Sequence, residues 1–259
     1  MRNSKQFSDY KLKTKLLSQL QLEGMETAER MALFINIYNC LVIHGIIMSL
    51  HCSIFGAFVG RLILYSTASY QIGEFVYSLN DIEHGLLRCN RTSPVPLSSR
   101  QFADTDPRLR FAAPQLDPRI HFALNCGAKG CPPIAVYKAS TINKQLDMAT
   151  KSFVRGNTVI KKYGTGDDSS FNVSLSMLFK WYRGDFGVSD TDILHWLIPF
   201  VSVSDTLGDC DTSSDSYSDG AYLKELLEIS TGDRTSPDVQ QKDRFNISYD
   251  EYDWAMNSK

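Results

Sequence analysis

The 259-residue sequence lacks an excess of either charge, because 27 Lys and Arg stand against 29 Asp and Glu, for a formal net charge of -2. Such a balance provides no long-range attraction toward nucleic acid or an anionic membrane. Nucleic acid is therefore not expected as a partner. The composition is otherwise that of a globular chain, with 43 % hydrophobic and 22 % charged residues.

Cysteine is too sparse for a secreted scaffold held together by disulfides, and a chain of this length can bury a core without such links. The first residues also lack the apolar core of a signal peptide. We therefore expect a cytoplasmic protein with reduced thiols. The six cysteines are Cys40, Cys52, Cys89, Cys126, Cys131 and Cys210.

Several familiar site signatures are missing from the sequence. It contains no Gly-rich phosphate loop followed by Lys and Ser or Thr, no His-Glu-x-x-His and no Gly-x-Ser-x-Gly. Cys126 and Cys131 have a spacing that zinc sites use, but no second Cys/His pair follows them. We predict no metal and no cofactor. A redox pair or a disulfide between these two thiols stays open, although Cys-x4-Cys is not the Cys-x-x-Cys of redox enzymes.

One apolar run, at residues 31–50, is long enough to cross a bilayer. It carries Asn36, Asn39 and His44, which are costly in hydrocarbon, and the two asparagines share one helix face. An apolar helix buried inside a large domain has the same composition. We expect such a helix and no contact with a membrane.

Periodicity and turn signals predict an α+β fold, mostly helical, forming a single domain with a small β-sheet. Residues 1–24 are expected to form an N-terminal helical extension, and residues 25–259 the domain. An acidic, Ser-rich segment at 203–220 is expected to be a flexible insertion. The predicted helices cover residues 10–22, 26–50 with a break or end near 45, 81–88, 140–152, 174–182, 190–201 and 222–229.

Strands are predicted at 58–66 and 120–124, and a turn between two short strands at 164–168. Two Asp-Pro-Arg phrases, at 106–108 and 117–119, are each expected to form a turn followed by extended chain. The second phrase leads directly into the predicted strand at 120–124.

The predicted helix at 81–88 concentrates polar residues. Asn80 is a suitable N-cap and Glu83 stands where a capping-box carboxylate belongs. Asp81, His84 and Arg88 follow at three- and four-residue steps on another face. Either this is a well-capped structural helix, or a carboxylate orients His84 as a general base.

A second polar group follows the predicted strand, in which His121 and Asn125 would share one face. Cys126 stands at the strand's end, where a Gly-containing loop begins. Backbone N–H groups of such a loop can stabilise a thiolate and an oxyanion. Alternatively, Cys126 is a small buried hydrophobic residue, as many cysteines are.

These phrases resemble the family catalogued as domain of unknown function 547. The resemblance rests on residues 34–39, 77–88, 117–133, 179–186 and 249–257, in that order. The sequence departs from the family at Gly130, where relatives often have Ser, and in the insertion. Relatives are also found fused to glutaredoxin-like or DEP domains, and we do not expect a glutaredoxin function to carry over from those fusions to this chain. The resemblance implies that eight residues occupy motif positions: Asn36, Asn39, Glu83, His84, His121, Asn125, Cys126 and Cys131.

Our first functional hypothesis is a thiol-dependent hydrolase or acyl-transfer site. Cys126 is the expected nucleophile and His84 or His121 the base. Asp81 or Glu83 would orient the base. On a regular helix, adjacent residues point about 100° apart, so Asp81 is the better partner for His84. The predicted supporting polar residues are Asn36, Asn39, Asn125 and Cys131. The three asparagines are expected either to support the oxyanion or to hold the loop.

The second hypothesis is a non-catalytic scaffold or protein-interaction domain of signalling proteins, bound to an unknown protein partner. In such a domain the buried Asn, His and Cys side chains would satisfy one another and fix loops. The sequence does not separate the two hypotheses.

Overall fold

Helices dominate the computed structural model, which describes residues 2–48, 56–164, 170–201 and 245–255. The predicted insertion at 203–220 and helix at 222–229 lie outside these residues. The α-helices are α1 (Lys5–Thr14), α2 (Thr27–Met48), α3 (Gly56–Thr67), α4 (Ile142–Asn157), α5 (Met177–Trp181), α6 (Arg183–Phe186) and α7 (Asp190–Val201). The strands are β1 (Ser69–Ile72), β2 (Phe75–Ser78), β3 (Thr158–Tyr163), β4 (Ser170–Ser176) and β5 (Phe245–Asp250). A π-helix spans Asp81–Leu87, and short 3-10 helices span Lys15–Gln19, Pro107–Phe111, Pro118–Phe122 and Ala139–Thr141. The predicted α+β class, mostly helical with little sheet, is confirmed.

The chain forms two compact units, Met1–Leu146 with Asp253–Lys259, and Asp147–Tyr252. In the first unit, β1 and β2 form an antiparallel hairpin that pairs Ser69 with Ser78. In the second unit, β4 lies between β3, which is antiparallel to it, and β5, which is parallel to it. The expected division at residue 24 stays a prediction.

Helix α2 supplies much of the first unit's core because it is apolar nearly all the way round. Phe34, Ile35 and Tyr38 are among its buried residues. The predicted break or end near Gly45 does not fall there, since α2 continues through Gly45 to Met48. A Cβ atom at Gly45 would lie 2.5 Å from Leu64 Cδ1, so glycine here allows a close approach of α2 and α3.

Among the described helices, α2 also has the length and hydropathy to cross a membrane, with a mean of 1.8 over its most apolar window. Half of that window (50 %) is buried within the protein. Core helices of globular domains meet the same criterion.

The predicted strand at 58–66 is wrong, because these residues belong to α3. A short apolar run has no period that separates a strand from a buried helix. Elsewhere, α4 and α7 agree with the predicted helices. Strands β3 and β4 lie on either side of the predicted turn at 164–168, of which residues 165–168 are outside the described residues. The predicted helix at 174–182 begins only after β4, where Ser176 caps α5.

The two Asp-Pro-Arg phrases form the same structure. Each Asp caps a 3-10 helix whose first residue is the Pro, and Asp106 Oδ1 accepts the N–H of Arg108 at 2.9 Å. The Arg side chain also turns back onto its Asp, and this lowers the pKa of Asp106. Asp117 and Arg119 repeat the arrangement. The predicted strand at 120–124 is therefore wrong: the capping carboxylate starts a helical turn instead of extended chain.

Candidate functional site

The polar helix begins with a reciprocal cap between Ser78 and Asp81. Ser78 Oγ accepts the N–H of Asp81 at 3.1 Å, and Asp81 Oδ2 accepts the N–H of Ser78 at 2.8 Å. This is a capping box with Asp as its carboxylate. The expected cap by Asn80 and Glu83 is wrong by two residues, since Asn80 is already helical and makes no capping bond.

The carboxylate of Asp81 has further partners on its own side of the helix. Gln101 Nε2 donates to Oδ1 at 2.8 Å, and Arg108 Nη1 lies 3.3 Å from Oδ2. The two carboxylate oxygens of Asp81 therefore link the cap of the π-helix to the segment that contains Gln101 and Arg108. Whether Asp81 orients His84 stays a prediction, and these contacts favour a structural role.

The turns after this cap are wound as a π-helix. The N–H of Arg88 donates to the carbonyl of Glu83 at 2.8 Å, and that of Asn90 to Gly85 at 3.0 Å, each reaching five residues back. All seven residues of Asp81–Leu87 are buried. A Cβ at Gly85 would lie 2.3 Å from the ring of Phe102, so this turn admits only glycine without rearrangement. Wide turns of this kind occur frequently at functional sites.

The π-helix brings the adjacent Glu83 and His84 side chains within 3.7 Å, between Oε1 and Nδ1. The prediction that they point apart is therefore wrong, because it assumed regular α-helical winding. Glu83 also accepts a hydrogen bond from the Tyr38 hydroxyl at 2.7 Å. A buried carboxylate is thus held beside the imidazole.

The closer neighbour of His84 Nδ1 is Arg88, whose Nη1 lies 2.9 Å away. Arginine has only donors, so Nδ1 must accept and the ring proton resides on Nε2. The 3.7 Å separation from Glu83 is too long for a competing hydrogen bond. This arrangement favours a neutral His84 that donates through Nε2, whereas a base would need Nε2 without its proton.

Two side-chain amides of α2 bind backbone on either side of the thiol loop, defined as residues 126–131. Asn39 accepts the N–H of Asn125 and donates to the carbonyl of Ala123, both at 2.9 Å. Asn36 makes the same two bonds to Tyr137: it accepts the N–H at 2.9 Å and donates to the carbonyl at 2.8 Å. Each side-chain amide thus donates to and accepts from an irregular backbone segment, as a neighbouring β-strand would do in a sheet. They therefore position the loop, and their predicted support of an oxyanion stays a prediction.

The residue just before the thiol loop closes it. The Asn125 side chain accepts the N–H of Gly127 and donates to the carbonyl of Pro132, each at 2.7 Å. Gly127 has φ +83°, a conformation that glycine adopts without strain. The N–H of Cys126 points at Cys131 Sγ, 3.1 Å away. The two ends of the loop are thus held together.

The two sulfur atoms lie 2.6 Å apart, and both cysteines are partly exposed. Tyr65 of α3 hydrogen-bonds to the side chain of Cys126. Burial raises the pKa of Tyr65, and the charges of Cys126 and Glu83 raise it further. Tyr65 therefore keeps its proton at neutral pH and can donate it toward sulfur. Sequence reasoning missed this residue, because it lies in a segment predicted as a strand.

Residues 253–255 contact the outer side of the thiol loop. Their backbone carbonyls accept the N–H groups of Lys129 and Gly130 at 2.9 and 3.1 Å. Arg61, one turn before Tyr65 on α3, donates to the carbonyl of Trp254 at 2.6 Å. The family phrase at 249–257 was noted in the sequence without a role; part of it supports this loop.

His121 is buried at the end of its 3-10 helix, five residues before Cys126. Its role as an alternative base stays a prediction. Within the described ranges, no three His, Cys, Asp or Glu side chains converge as a set of metal ligands.

The family model described as "Protein of unknown function, DUF547" matches residues 22–154, just over half of the chain. The matched residues include the π-helix, both asparagines of α2 and the thiol loop. The chain therefore belongs to this family of uncharacterised domains. The later phrases at 179–186 and 249–257 lie beyond the match. No curated protein and no solved structure matches the chain.

Proposed function

We propose that the domain is a thiol-dependent hydrolase or acyl-transfer enzyme whose nucleophile is Cys126. The observation that carries the proposal is the pair of hydrogen-bonding groups beside Cys126 Sγ, which are the Tyr65 hydroxyl and the Cys131 thiol, whose sulfur is 2.6 Å away. Donors directed at sulfur favour the thiolate, which is the nucleophilic form. Cys126 is also partly exposed, so a substrate can reach it.

In this proposal the thiol loses its proton to solvent before substrate binds, and Tyr65 stabilises the thiolate. The sulfur electron pair attacks an acyl carbon and the carbonyl electrons move to oxygen. Collapse of this intermediate expels the leaving group, which takes a proton from water, and leaves a thioester on Cys126. Water or an acceptor alcohol or amine then releases the acyl group.

His84 is assigned the task of donating its Nε2–H to the oxyanion. A neutral imidazole can serve in this way when its other nitrogen is fixed, as Arg88 fixes Nδ1 here. Glu83 and Arg88 are then positioning residues for the ring. This assignment replaces the base role expected from the sequence.

The test is site-resolved labelling with iodoacetamide across pH, followed by peptide mapping. Cys126 should label faster near neutral pH than Cys40 of α2, whose side chain is exposed in part and whose thiol pKa is raised by partial desolvation. His84→Ala should leave the alkylation rate unchanged, because alkylation creates no oxyanion, yet should slow ester hydrolysis. Uniformly slow labelling of Cys126 and Cys40 would overturn the proposal.

A second candidate is the scaffold hypothesis, which is favoured by the use of Asn36, Asn39 and Asp81 to hold backbone. In that case the polar residues fix loops that bind an unknown protein partner. Cys126→Ser would then leave function in cells unchanged, whereas Asn39→Ala would impair it together with stability. An enzyme would lose function in both variants.

We further propose that the protein acts in the cytoplasm without membrane attachment. The half-buried state of α2 supports this, because a spanning helix would leave less of its surface to the protein core. Cell fractionation should find the protein in the supernatant after a carbonate wash. Retention in the membrane pellet would contradict the proposal.

A further inference from the structure

The thiol loop places two cysteine sulfurs side by side, although a nucleophile requires only one. Cys126 Sγ and Cys131 Sγ are 2.6 Å apart, and a disulfide bond is about 2.0 Å long. The sulfurs therefore need to move little to form a covalent bond. The N–H of Cys126, pointing at Cys131 Sγ, favours a thiolate on Cys131 once Cys126 has lost its own negative charge in a mixed disulfide.

The surrounding backbone keeps the sulfurs together without help from a bond between them. Asn125 ties Gly127 to Pro132 across the loop, and Cys131 N–H donates to the Ala128 carbonyl at 3.1 Å. Once one of two thiols fixed in this way is in a mixed disulfide, the other attacks that disulfide much faster than a thiol from solution does. The enclosed loop is short, so a disulfide would add little stability by constraining the unfolded chain. A bond of that kind is suited to reversible opening.

We propose that Cys126 and Cys131 form a redox site that exchanges with low-molecular-weight disulfides and closes to an intramolecular disulfide. The formation of the disulfide is independent of any catalytic role. Its consequence, that the oxidised protein has no nucleophile, rests on the proposed function.

The exchange proceeds in two displacements. The Cys126 thiolate attacks one sulfur of a small disulfide, forming a mixed disulfide and expelling one small thiolate. The Cys131 thiolate then attacks Cys126 Sγ, forming the intramolecular bond and expelling the second small thiolate. The two protein thiols are oxidised, the small disulfide is reduced to two thiols, and these take up the two protons.

The experiment exposes reduced protein to oxidised glutathione, quenches with acid and maps the peptides by mass spectrometry. Wild type should lose two hydrogens and yield a peptide linked between Cys126 and Cys131, without lasting glutathione adduct at either position. Cys131→Ser, which removes the resolving thiol with little change in size, should instead accumulate glutathione on Cys126. Cys40, an exposed cysteine of α2, is the internal control and should carry only a mixed disulfide.

A lasting glutathione adduct on wild-type Cys126, with Cys131 still open to alkylation, would overturn the inference. It would also be overturned if Cys126 and Cys131 both stay reduced under conditions that modify Cys40. Acylation of Cys126 by an activated ester, measured before oxidation and again after dithiothreitol treatment, separates the two proposals. A disulfide that forms in a protein unable to acylate would refute only the proposed function. Acylation without a disulfide would refute only the redox site.

Discussion

Removing the Tyr65 hydroxyl should slow the reaction of Cys126 with iodoacetamide at neutral pH. A hydrogen bond to a charged group is worth about 1.5–3 kcal/mol, and sulfur is a weak acceptor, so the lower figure of about 1.5 kcal/mol is appropriate. That free energy corresponds to about a tenfold smaller thiolate fraction in Tyr65→Phe. The more basic thiolate regains nearly half of this effect through its greater intrinsic nucleophilicity. The net prediction is alkylation about three- to fourfold slower.

The assay is the second-order rate of carbamidomethylation at Cys126, resolved by peptide and measured from acidic to alkaline pH. Tyr163→Phe is the matched control, because this exposed tyrosine of β3 lies in the other unit. At alkaline pH, where both thiols are fully ionised, Tyr65→Phe should react about threefold faster than wild type, because only the greater nucleophilicity of its more basic thiolate remains. An unchanged rate at neutral pH would refute the reasoning, and a slower rate at every pH would indicate a steric effect.

Three further substitutions test the packing and hydrogen bonds of the structure, and a fourth tests the pH dependence of its stability. Gly85→Ala should lower the free energy of unfolding by about 1–3 kcal/mol through overpacking, whereas Gly156→Ala, with open space around it, should not lower it; urea denaturation measures both. Asn39→Ala should lower the free energy of unfolding by about 2–4 kcal/mol in the same assay, because it leaves a buried N–H and a buried carbonyl unsatisfied. A loss under about 0.5 kcal/mol, roughly the size of a surface effect, would contradict this. Tyr77→Phe should leave stability unchanged or raise it by up to about 1 kcal/mol, since the buried Tyr77 hydroxyl has no hydrogen-bond partner; a clear loss of stability would be inconsistent with that environment. Burial, and then the charge of Lys11, lower the pKa of His44 below its usual 6.5. The unfolded chain therefore binds the extra proton first, and stability should fall as the pH drops below about 6.5. Thermal unfolding of His44→Gln should show a smaller decline over this pH range, and an equal decline would exclude His44 as its source.

Long periodic segments of the fold were predictable from the sequence. Helices α4 and α7 follow from apolar residues at helical spacing, and the hairpin of β3 and β4 from a polar turn between alternating residues. The short segments were not. The run at 58–66 and the run after Asp117 were read as strands, but tertiary packing and a capping carboxylate make them helical.

The site was predictable only as a set of residues. His84, Cys126 and the asparagines of α2 stood out by type and spacing, yet the sequence assigned the cap to Asn80 instead of Ser78. The π-helix, which brings Glu83 to His84, depends on packing around Gly85 and Phe102 that no local pattern encodes. Tyr65 was missed because its segment was predicted as a strand and because its partner Cys126 is distant in sequence.

The central claim, that Cys126 is a nucleophile toward acyl groups, is tested most directly by trapping the acyl-enzyme. Reduced protein is mixed with 4-nitrophenyl acetate, quenched in acid and mapped by mass spectrometry. We predict a rapid release of nitrophenol with one acetyl group on Cys126, and neither in Cys126→Ser. Acetylation spread slowly over several cysteines and lysines, at the same rate in Cys126→Ser, would contradict it.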